Sequence, residues 1–214
     1  MNTAHSAREV ALLTLCACER QGGWSDGLLK KNIRDAELDP RDAALATKLC
    51  FGVQQNKLLC DFYIDHFSSV KTRKMEDRVL AALRLGVYQL LFLNRIPASA
   101  AVNESVNLTR RYGKNPKAAG LVNGVLRAVV RAGDDLPPAP SLSVRYSHPQ
   151  WLVDLFAERL AEGELEALLT ADNEEPGTMI QWNSAACTEE QLMDSLKKDG
   201  VQVTAHPWLA GCMI

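Results

Sequence analysis

Residues 75–93 read MEDRVLAALRLGVYQLLFL. The apolar side chains of Val79, Leu83 and Val87 recur at the four-residue spacing of one helical face, and other apolar residues widen that face. Gly86 lies in the middle, where glycine costs about 1 kcal/mol relative to alanine. Its presence there indicates close approach of a neighbouring helix. The pattern therefore predicts a central and mostly buried helix.

Helix signals also occur on both sides of this central segment. Residues 6–9, Ser-Ala-Arg-Glu, form a capping box that predicts the start of a first helix. Residues 39–40, Asp-Pro, predict another start, because the missing amide of proline costs nothing at the first helical position. Further helices are predicted over residues 98–112 and 116–132. We expect six or seven helices over residues 1–132, packed as an all-α bundle.

The composition changes after residue 132. Three prolines within residues 137–140 fix an extended backbone, which predicts a Pro-rich linker over residues 133–147. Residues 148–214 predict a partial α/β subdomain, and its two strands would make only a marginal sheet. The predicted order there is two helices, a strand over 178–183, a helix from the capping box at Thr188 to Lys198, and a strand over Val201–Thr204.

Charge is divided unequally along the chain. The 24 Lys and Arg and the 26 Asp and Glu give a net charge of −2, but residues 1–132 carry +8 and residues 133–214 carry −10. Residues 69–131 hold 12 basic and three acidic side chains. Such an excess attracts polyanions, of which nucleic acid is the commonest in the cytoplasm. The alternative is a solvated surface balanced by acidic neighbours in space.

Several classes of protein are disfavoured. No apolar run approaches the roughly 20 residues that cross a bilayer, and the N-terminus lacks the pattern of a secretory signal. The six cysteines form no Cys-x-x-Cys pair, so no metal is expected. These observations predict a cytoplasmic protein without membrane contact. Cys16, Cys50 and Cys60 are predicted to be buried small hydrophobes, Cys18 and Cys212 to be exposed thiols, and none is expected to be catalytic.

Three segments resemble a known family. They are LDPRDAALATKLCFGVQQNKLLCDFYI from Leu38, RLGVYQLLFLNRIPASAAVNESVNLTRRYG from Arg84 and GLVNGVLRAVVR from Gly120. Together they resemble the NusB-like RNA-binding fold, a small helical domain of the transcription antitermination factor that is also fused to some ribosomal RNA methyltransferases. The resemblance covers most of residues 1–132.

The continuation resembles the Sun/Fmu (RsmB) family. Its segments are RYSHPQWLVDLFAERL from Arg145, DNEEP from Asp172 and MIQWN from Met179. The resemblance implies the RNA-binding N-terminal part of a small-subunit ribosomal RNA (cytosine-5)-methyltransferase that uses S-adenosylmethionine, with ribosomal RNA as its partner. Two alternatives stay open: a stand-alone NusB-like RNA-binding module in transcription antitermination, and a helical bundle for protein interaction.

The chain also departs from that family. Members continue into a methyltransferase domain with a Gly-rich cofactor loop after a strand and a Pro-Cys catalytic motif, and neither occurs in these 214 residues. We therefore expect no catalytic residue and no cofactor site in this chain. The catalytic domain is predicted to be missing, and the chain alone is predicted to be inactive.

The preferred RNA-binding patch follows the helix predicted over residues 98–112. There a helix end, the Gly113 turn and the next helix start bring cations and free backbone amides together, which suits phosphate. Arg110 and Arg111 have an alternative role in capping the helix dipole. Arg8 matches the N-terminal helix that the resemblance implicates in RNA contact, with a simple surface role as the alternative. The predicted RNA-binding residues are Arg8, Arg110, Arg111, Lys114, Lys117, Arg127 and Arg131.

Two further groups of residues are assigned to the structure itself. Asn103 and Asn123 lie in the resembling segments, and we favour packing roles over base recognition for them. Tyr88, Phe92 and Trp151 lie on apolar helical stripes, so they are predicted to be core residues and not stacking platforms. RNA contact is therefore expected to be mostly electrostatic, with single-stranded loops supplying selectivity.

Overall fold

A computed structural model describes residues 5–22, 26–174 and 177–214. These residues form two compact units, one ending at Ala171 and the other running Asp172–Ile214. The helices of the first unit are α1 (Ala7–Gln21), α2 (Asp26–Asp35), α3 (Pro40–Gln55), α4 (Lys57–Phe67), α5 (Asp77–Phe92), α6 (Ala98–Tyr112), α7 (Ala118–Ala132), α8 (Leu142–Tyr146), α9 (Gln150–Ala157) and α10 (Glu162–Ala171). The second unit holds β1 (Ile180–Gln181), α11 (Glu189–Lys198) and β2 (Cys212–Met213).

The mainly helical fold predicted from the sequence is confirmed. Seven α-helices span the described residues up to Ala132. The capping box at Ser6 and Glu9 is present, and the Asp39 side chain accepts a hydrogen bond from the amide of Asp42 as the N-cap of α3. Local hydrogen bonds of this kind fix where a helix begins, which explains why these starts were predictable.

Helix α5 is the centre of the first unit. Every residue from Ala81 to Gln89 is buried, and the helix packs against α1, α3, α4, α6 and α7. Close approach at Gly86 is confirmed, since a Cβ there would lie 2.5 Å from Leu126 Cδ1 and 2.8 Å from Ser105 Oγ. The bundle is therefore built around one helix that other helices enclose.

A second glycine, Gly52, leaves space for the aromatic ring of Tyr88 in the core. A Cβ on Gly52 of α3 would lie 1.9 Å from Cζ of Tyr88, whose side chain is buried. The Tyr88 ring in turn stacks on Phe92 with centroids 5.3 Å apart. The absence of a side chain at Gly52 is thus what lets α3 and α5 meet at Tyr88.

The predicted Pro-rich linker contains a helix. Within residues 133–147 the structure forms a 3₁₀ turn, Gly133–Asp135, and helix α8, which Ser141 caps. The Ser147 hydroxyl accepts a hydrogen bond from the Leu59 amide of α4 at 3.1 Å. This contact holds α8 against the bundle, and α8, α9 and α10 belong to the first unit. The domain division at residues 132 and 148 stays a prediction.

The second unit has the predicted order of elements, but its second strand lies further along the chain than predicted. β1 pairs antiparallel with β2, with Ile180 opposite Met213, and α11 begins at the predicted Thr188 capping box. The strand predicted over Val201–Thr204 is wrong, because Gly200 turns the chain and the Val201 amide bonds back to Leu196. Pairing with the second edge of β2 begins only at Thr204, which exchanges two 2.8 Å backbone hydrogen bonds with Ile214.

Three other predictions for single residues are also wrong. Cys18 was predicted to be an exposed thiol, but it is buried inside α1. Phe92 and Trp151 were predicted to be core residues, but they are 41% and 67% exposed. Each of these aromatic residues lies at the end of a helix, beyond the neighbours that cover the middle. Of the DNEEP segment, Glu175 and Pro176 lie outside the described residues.

The Gly52 contact predicts a stability change. Gly52→Ala should lower the free energy of unfolding by about 1–3 kcal/mol, because the added methyl overlaps the Tyr88 ring. Gly124→Ala on α7 is the matched control: its Cβ meets nothing within 4 Å, so helix propensity alone should raise stability by up to about 1 kcal/mol. Urea unfolding followed by circular dichroism measures both, and equal effects would contradict the packing argument.

Candidate nucleic-acid interface

A groove of about 520 Å³ lies between α6 and α7. Arg110 and Arg127 line it from opposite helices, together with the amide side chains of Asn103, Asn107 and Asn123. Positive charge and hydrogen-bonding amides therefore share one concave surface. We call this surface the α6–α7 groove; its remaining lining residues are Val106, Ala119 and Gly120.

A second hollow extends the groove toward the start of α6. It is lined by Ser99, Val102 and Val130, and Asn103 and Arg127 line both hollows. Because the two hollows share these two lining residues, they adjoin. Measured along α6 from Ser99 to Arg110, the combined surface is about 16 Å long at 1.5 Å per residue.

Small residues on α7 keep the groove open. Gly120 lines it, and a Cβ at that position would have no neighbour within 4 Å. Val106 of α6 and Ala119 of α7 line the groove and are buried. Larger residues at Ala119 and Gly120 would fill this space, so the sequence of α7 itself creates the cavity.

One arginine in the groove is held in place. Arg127 Nε donates to Asn123 Oδ1 at 3.0 Å, one turn earlier on α7. This bond uses the amide oxygen of Asn123 and leaves the terminal guanidinium nitrogens of Arg127 for other acceptors. Asn123 therefore orients a cation in the groove, and Asn103 is exposed on its wall. The sequence favoured packing roles for both.

Five predicted RNA-binding residues cluster on this side of α6 and α7. Arg110 and Arg127 line the groove, Lys114 and Lys117 are exposed in the connection between the helices, and Arg131 is exposed one turn beyond Arg127. In the part of the chain that the structure describes, none of the five forms an ion pair with a carboxylate. Their charges are therefore available to an external anion.

The other two predicted residues lie near the start of α1. Arg8 Nε donates to the buried Gln89 side chain of α5 at 2.7 Å. Arg111 forms an ion pair with Glu9, and its guanidinium lies 5.3 Å from the ring centroid of Tyr112. Both arginines are therefore engaged by other residues of the protein, and neither of them lines the groove. The carbonyl of Tyr112 at the end of α6 is bonded by Arg78.

An ion-pair network around a buried arginine removes another basic residue from the surface. Arg84 of α5 is 8% exposed and donates to both carboxylate oxygens of Asp61 at 2.7 Å and to Glu19 at 2.9 Å. Lys57 also pairs with Glu19 at 2.6 Å. Burial raises the pKa of Glu19, but the hydrogen bonds and charges of Lys57 and Arg84 outweigh it, so this pKa is lowered. The sequence count of basic residues therefore overstates the exposed charge.

No cysteine lines this groove. Cys16, Cys50 and Cys60 are buried as predicted, whereas Cys187 and Cys212 are partly exposed. Burial raises the pKa of Cys16 to about 11, and it raises the pKa of Cys50 and Cys60 further. Among the described residues, no cluster of three or more His, Cys, Asp or Glu is placed to hold a metal ion. The helices of the same residues include none that combines the length and the apolar character of a membrane span.

Comparison with known families gives two matches along the chain. Residues 5–131 match the NusB family. Residues 148–214 match the ferredoxin-like domain described as Methyltr_RsmF/B-like. The α6–α7 groove lies entirely within the first match.

Related proteins and structures agree with these matches. The chain is 32% identical over 203 residues to the probable ribosomal RNA small subunit methyltransferase B of Bacillus subtilis, covering 92% of this chain and 45% of that protein. It is 32% identical over 215 residues to ribosomal RNA small subunit methyltransferase B of Proteus mirabilis, covering 97% and 49%. A crystal structure of antitermination factors NusB and NusE in complex with double-stranded RNA matches with a TM-score of 0.54 at 27% identity, covering 59% of this chain and 94% of that one.

The buried network predicts a large effect of one substitution. Arg84→Met should lower the free energy of unfolding by about 2–3 kcal/mol, because Asp61 loses its two hydrogen bonds to a cation and Glu19 keeps only Lys57. Arg131→Met, the same change at an exposed site on α7, should alter stability by less than about 0.5 kcal/mol. Chemical denaturation of both variants checks the difference; a small effect of Arg84→Met would show that the network does not stabilise the fold.

Burial of the thiols predicts their reactivity. In the native protein at pH 8, a thiol-specific reagent should modify Cys187 and Cys212 fast and Cys16, Cys50 and Cys60 slowly, because burial disfavours the reactive thiolate. Mass spectrometry of the labelled protein identifies the sites. Denatured protein should react at all six cysteines, and fast native labelling of Cys60 would contradict the placement of α4.

Proposed function

The chain belongs to the NusB family over residues 5–131, and from that membership we propose that it is the RNA-binding part of a ribosomal RNA cytosine-5 methyltransferase. The chain spans about half the length of the curated relatives it matches, at 45% and 49%. Methylation of ribosomal RNA by the whole enzyme is therefore part of the proposal. In this arrangement the bundle holds RNA and a catalytic domain carries out the chemistry.

One observation carries the proposal. Arg110 and Arg127 line the α6–α7 groove from opposite helices, and among the described residues neither they nor the exposed side chains of Lys114, Lys117 and Arg131 form an ion pair with a carboxylate. The backbone amide of Lys114 is not free for phosphate, because it donates to the Glu76 carboxylate at 2.9 Å. A guanidinium presents paired N–H donors that match two phosphate oxygens. Neutralising several phosphates releases their counterions, and this release drives association at low salt. We propose that the phosphate backbone of the RNA follows this surface.

The arginines near α1 take a different role in the proposal. Arg8 and Arg111 are engaged by Gln89 and Glu9, so an RNA phosphate would have to compete with these contacts. Arg111 still has an exposed side chain, at 45%. We propose that both residues contribute weakly, at the edge of the RNA-binding surface, while their protein contacts hold α1 against α5 and α6.

S-adenosylmethionine, the cofactor that the family implies, does not fit the residues described here. A cofactor loop requires a strand followed by a glycine-rich turn, so that backbone amides can approach the ligand. β1 has two residues, and the segment from Trp182 to Thr188 that leads to α11 contains no glycine. We propose that cofactor and catalytic residues lie in the part of the enzyme that corresponds to the unmatched half of the relatives.

The match over residues 148–214 favours this proposal over the first alternative, a stand-alone NusB-like RNA-binding module. The NusB-type structure bound to NusE and double-stranded RNA matches 59% of this chain, whereas the methyltransferase relatives match 92% and 97% of it. The longer match favours a methyltransferase over a stand-alone antitermination module. A cytoplasmic location stays a prediction that accords with a ribosomal RNA substrate. The second alternative, a helical bundle for protein interaction, is tested by measuring whether the chain binds RNA.

The proposal predicts a specific change in salt dependence. Arg110→Gln combined with Arg127→Gln should weaken binding to a single-stranded ribosomal RNA fragment and reduce the slope of log K against log salt by about 0.7 for each phosphate that the chain no longer neutralises. Fluorescence anisotropy titrations between 50 and 200 mM salt, roughly the range in which such contacts weaken, measure both. The full chain is used throughout.

Two basic residues on α2 provide the control. Lys31→Gln combined with Arg34→Gln removes the same charge from an exposed helix that packs on α1 and α3. This variant should keep the slope of the unmodified chain. Failure of the unmodified chain to bind RNA at low salt would reject the proposed function, and equal slopes for the two double variants would reject its location.

A further inference from the structure

The α6–α7 groove contains more than a phosphate site requires. Phosphate oxygens only accept hydrogen bonds, so a phosphate site requires donors and has no use for a side-chain acceptor. Asn103 and Asn107 add two amides one helical turn apart on α6, and Asn103 also borders the second hollow. An amide presents a donor and an acceptor in one plane, which is the pattern of a nucleobase edge.

The groove also has a surface suited to the face of a base. Val106 and Ala119 are buried beneath it, and Val102 and Val130 line the adjoining hollow. Val130 is 42% exposed although it is apolar. An aromatic ring that lies on Val130 would cover apolar surface that now contacts water.

The arrangement favours an unpaired nucleotide over a duplex. The edges of bases in an RNA duplex lie in a deep, narrow major groove or along a shallow minor groove. An amide on the wall of a cleft between two packed helices can meet a base edge only if the base leaves the stack and enters the cleft. Arg110 and Arg127 at the same cleft are placed for the phosphate of that nucleotide.

We propose that the α6–α7 groove accepts an unpaired nucleotide and reads its base edge through Asn103 and Asn107, with its phosphate on Arg110 and Arg127. Asn123 positions Arg127 through the 3.0 Å hydrogen bond. The groove then sets which sequence the chain prefers, in addition to holding RNA. This inference rests on the proposed function, because it assigns sequence selection to the same RNA-binding surface.

Occlusion of the groove tests where the nucleotide lies. In Gly120→Leu the new side chain starts in open space and fills the groove, so the fold is kept while the nucleotide is excluded. Gly124→Leu is the matched control, since its Cβ also meets nothing within 4 Å and Gly124 does not line the groove. Binding of eight-nucleotide single strands of A, C and U should weaken at least about fivefold for Gly120→Leu. The control should stay within about twofold.

Removal of the amides tests base reading. The unmodified chain should prefer one of the three oligonucleotides by about fivefold or more, the factor expected for one well-placed pair of hydrogen bonds to a base. Asn103→Leu combined with Asn107→Leu should bring the three affinities to within about twofold of each other. Its salt slope should not change, because no charge is removed. Thermal unfolding confirms that all variants are folded.

The outcomes distinguish the inference from the proposed function. If the unmodified chain binds all three oligonucleotides with a steep salt slope and equal affinity, RNA binding stands and base reading is overturned. If Gly120→Leu binds like Gly124→Leu, the groove is not the site and the inference is overturned. If no RNA binds at low salt, the proposed function fails and the inference fails with it.

Discussion

The enclosure of α5 by its neighbours is the constraint on which the first unit depends. Five helices contact it, and nine consecutive residues from Ala81 to Gln89 are buried. Such enclosure requires close approach, which Gly86 provides toward Leu126 and Gly52 provides for Tyr88. It also buries Arg84, whose charge is then matched by Asp61 and Glu19. Because α6 and α7 pack on the same helix, the position of the candidate groove follows from this arrangement.

Local signals made most of the helical fold predictable from the sequence. Capping residues and prolines act within a few residues, so the starts of α1 and α3 could be assigned without knowledge of their neighbours. Features that depend on neighbours were missed. Cys18 is buried in a helix that packs on α2, α3, α5 and α6, and Phe92 is exposed at the end of α5. In the second unit the chain turns at Gly200 before it reaches the residues that pair with β2.

The candidate interface was predictable in part. Charge density located the region of Arg110 and Arg127, because basic residues without acidic neighbours in sequence tend to remain solvent-exposed. It could not show that Arg84 is neutralised or that Arg111 pairs with Glu9, since both partners are distant in sequence. The proposed role of Asn107 had one visible signal, its spacing of four residues from Asn103. That spacing becomes informative only once α7 is known to lie opposite.

The ion pair between Arg84 and Glu19 has a consequence for how the chain assembles. It joins residues 65 positions apart, and α1 packs on α3, α5 and α6 in addition to its neighbour α2. Contacts of such high sequence separation delay folding, since a long loop must close before they form. During synthesis the first four helices must remain without their central partner until α5 has left the ribosome. Until then the apolar side chains that pack on α5 in the finished bundle lack this cover, and transiently uncovered apolar surface of this kind favours aggregation.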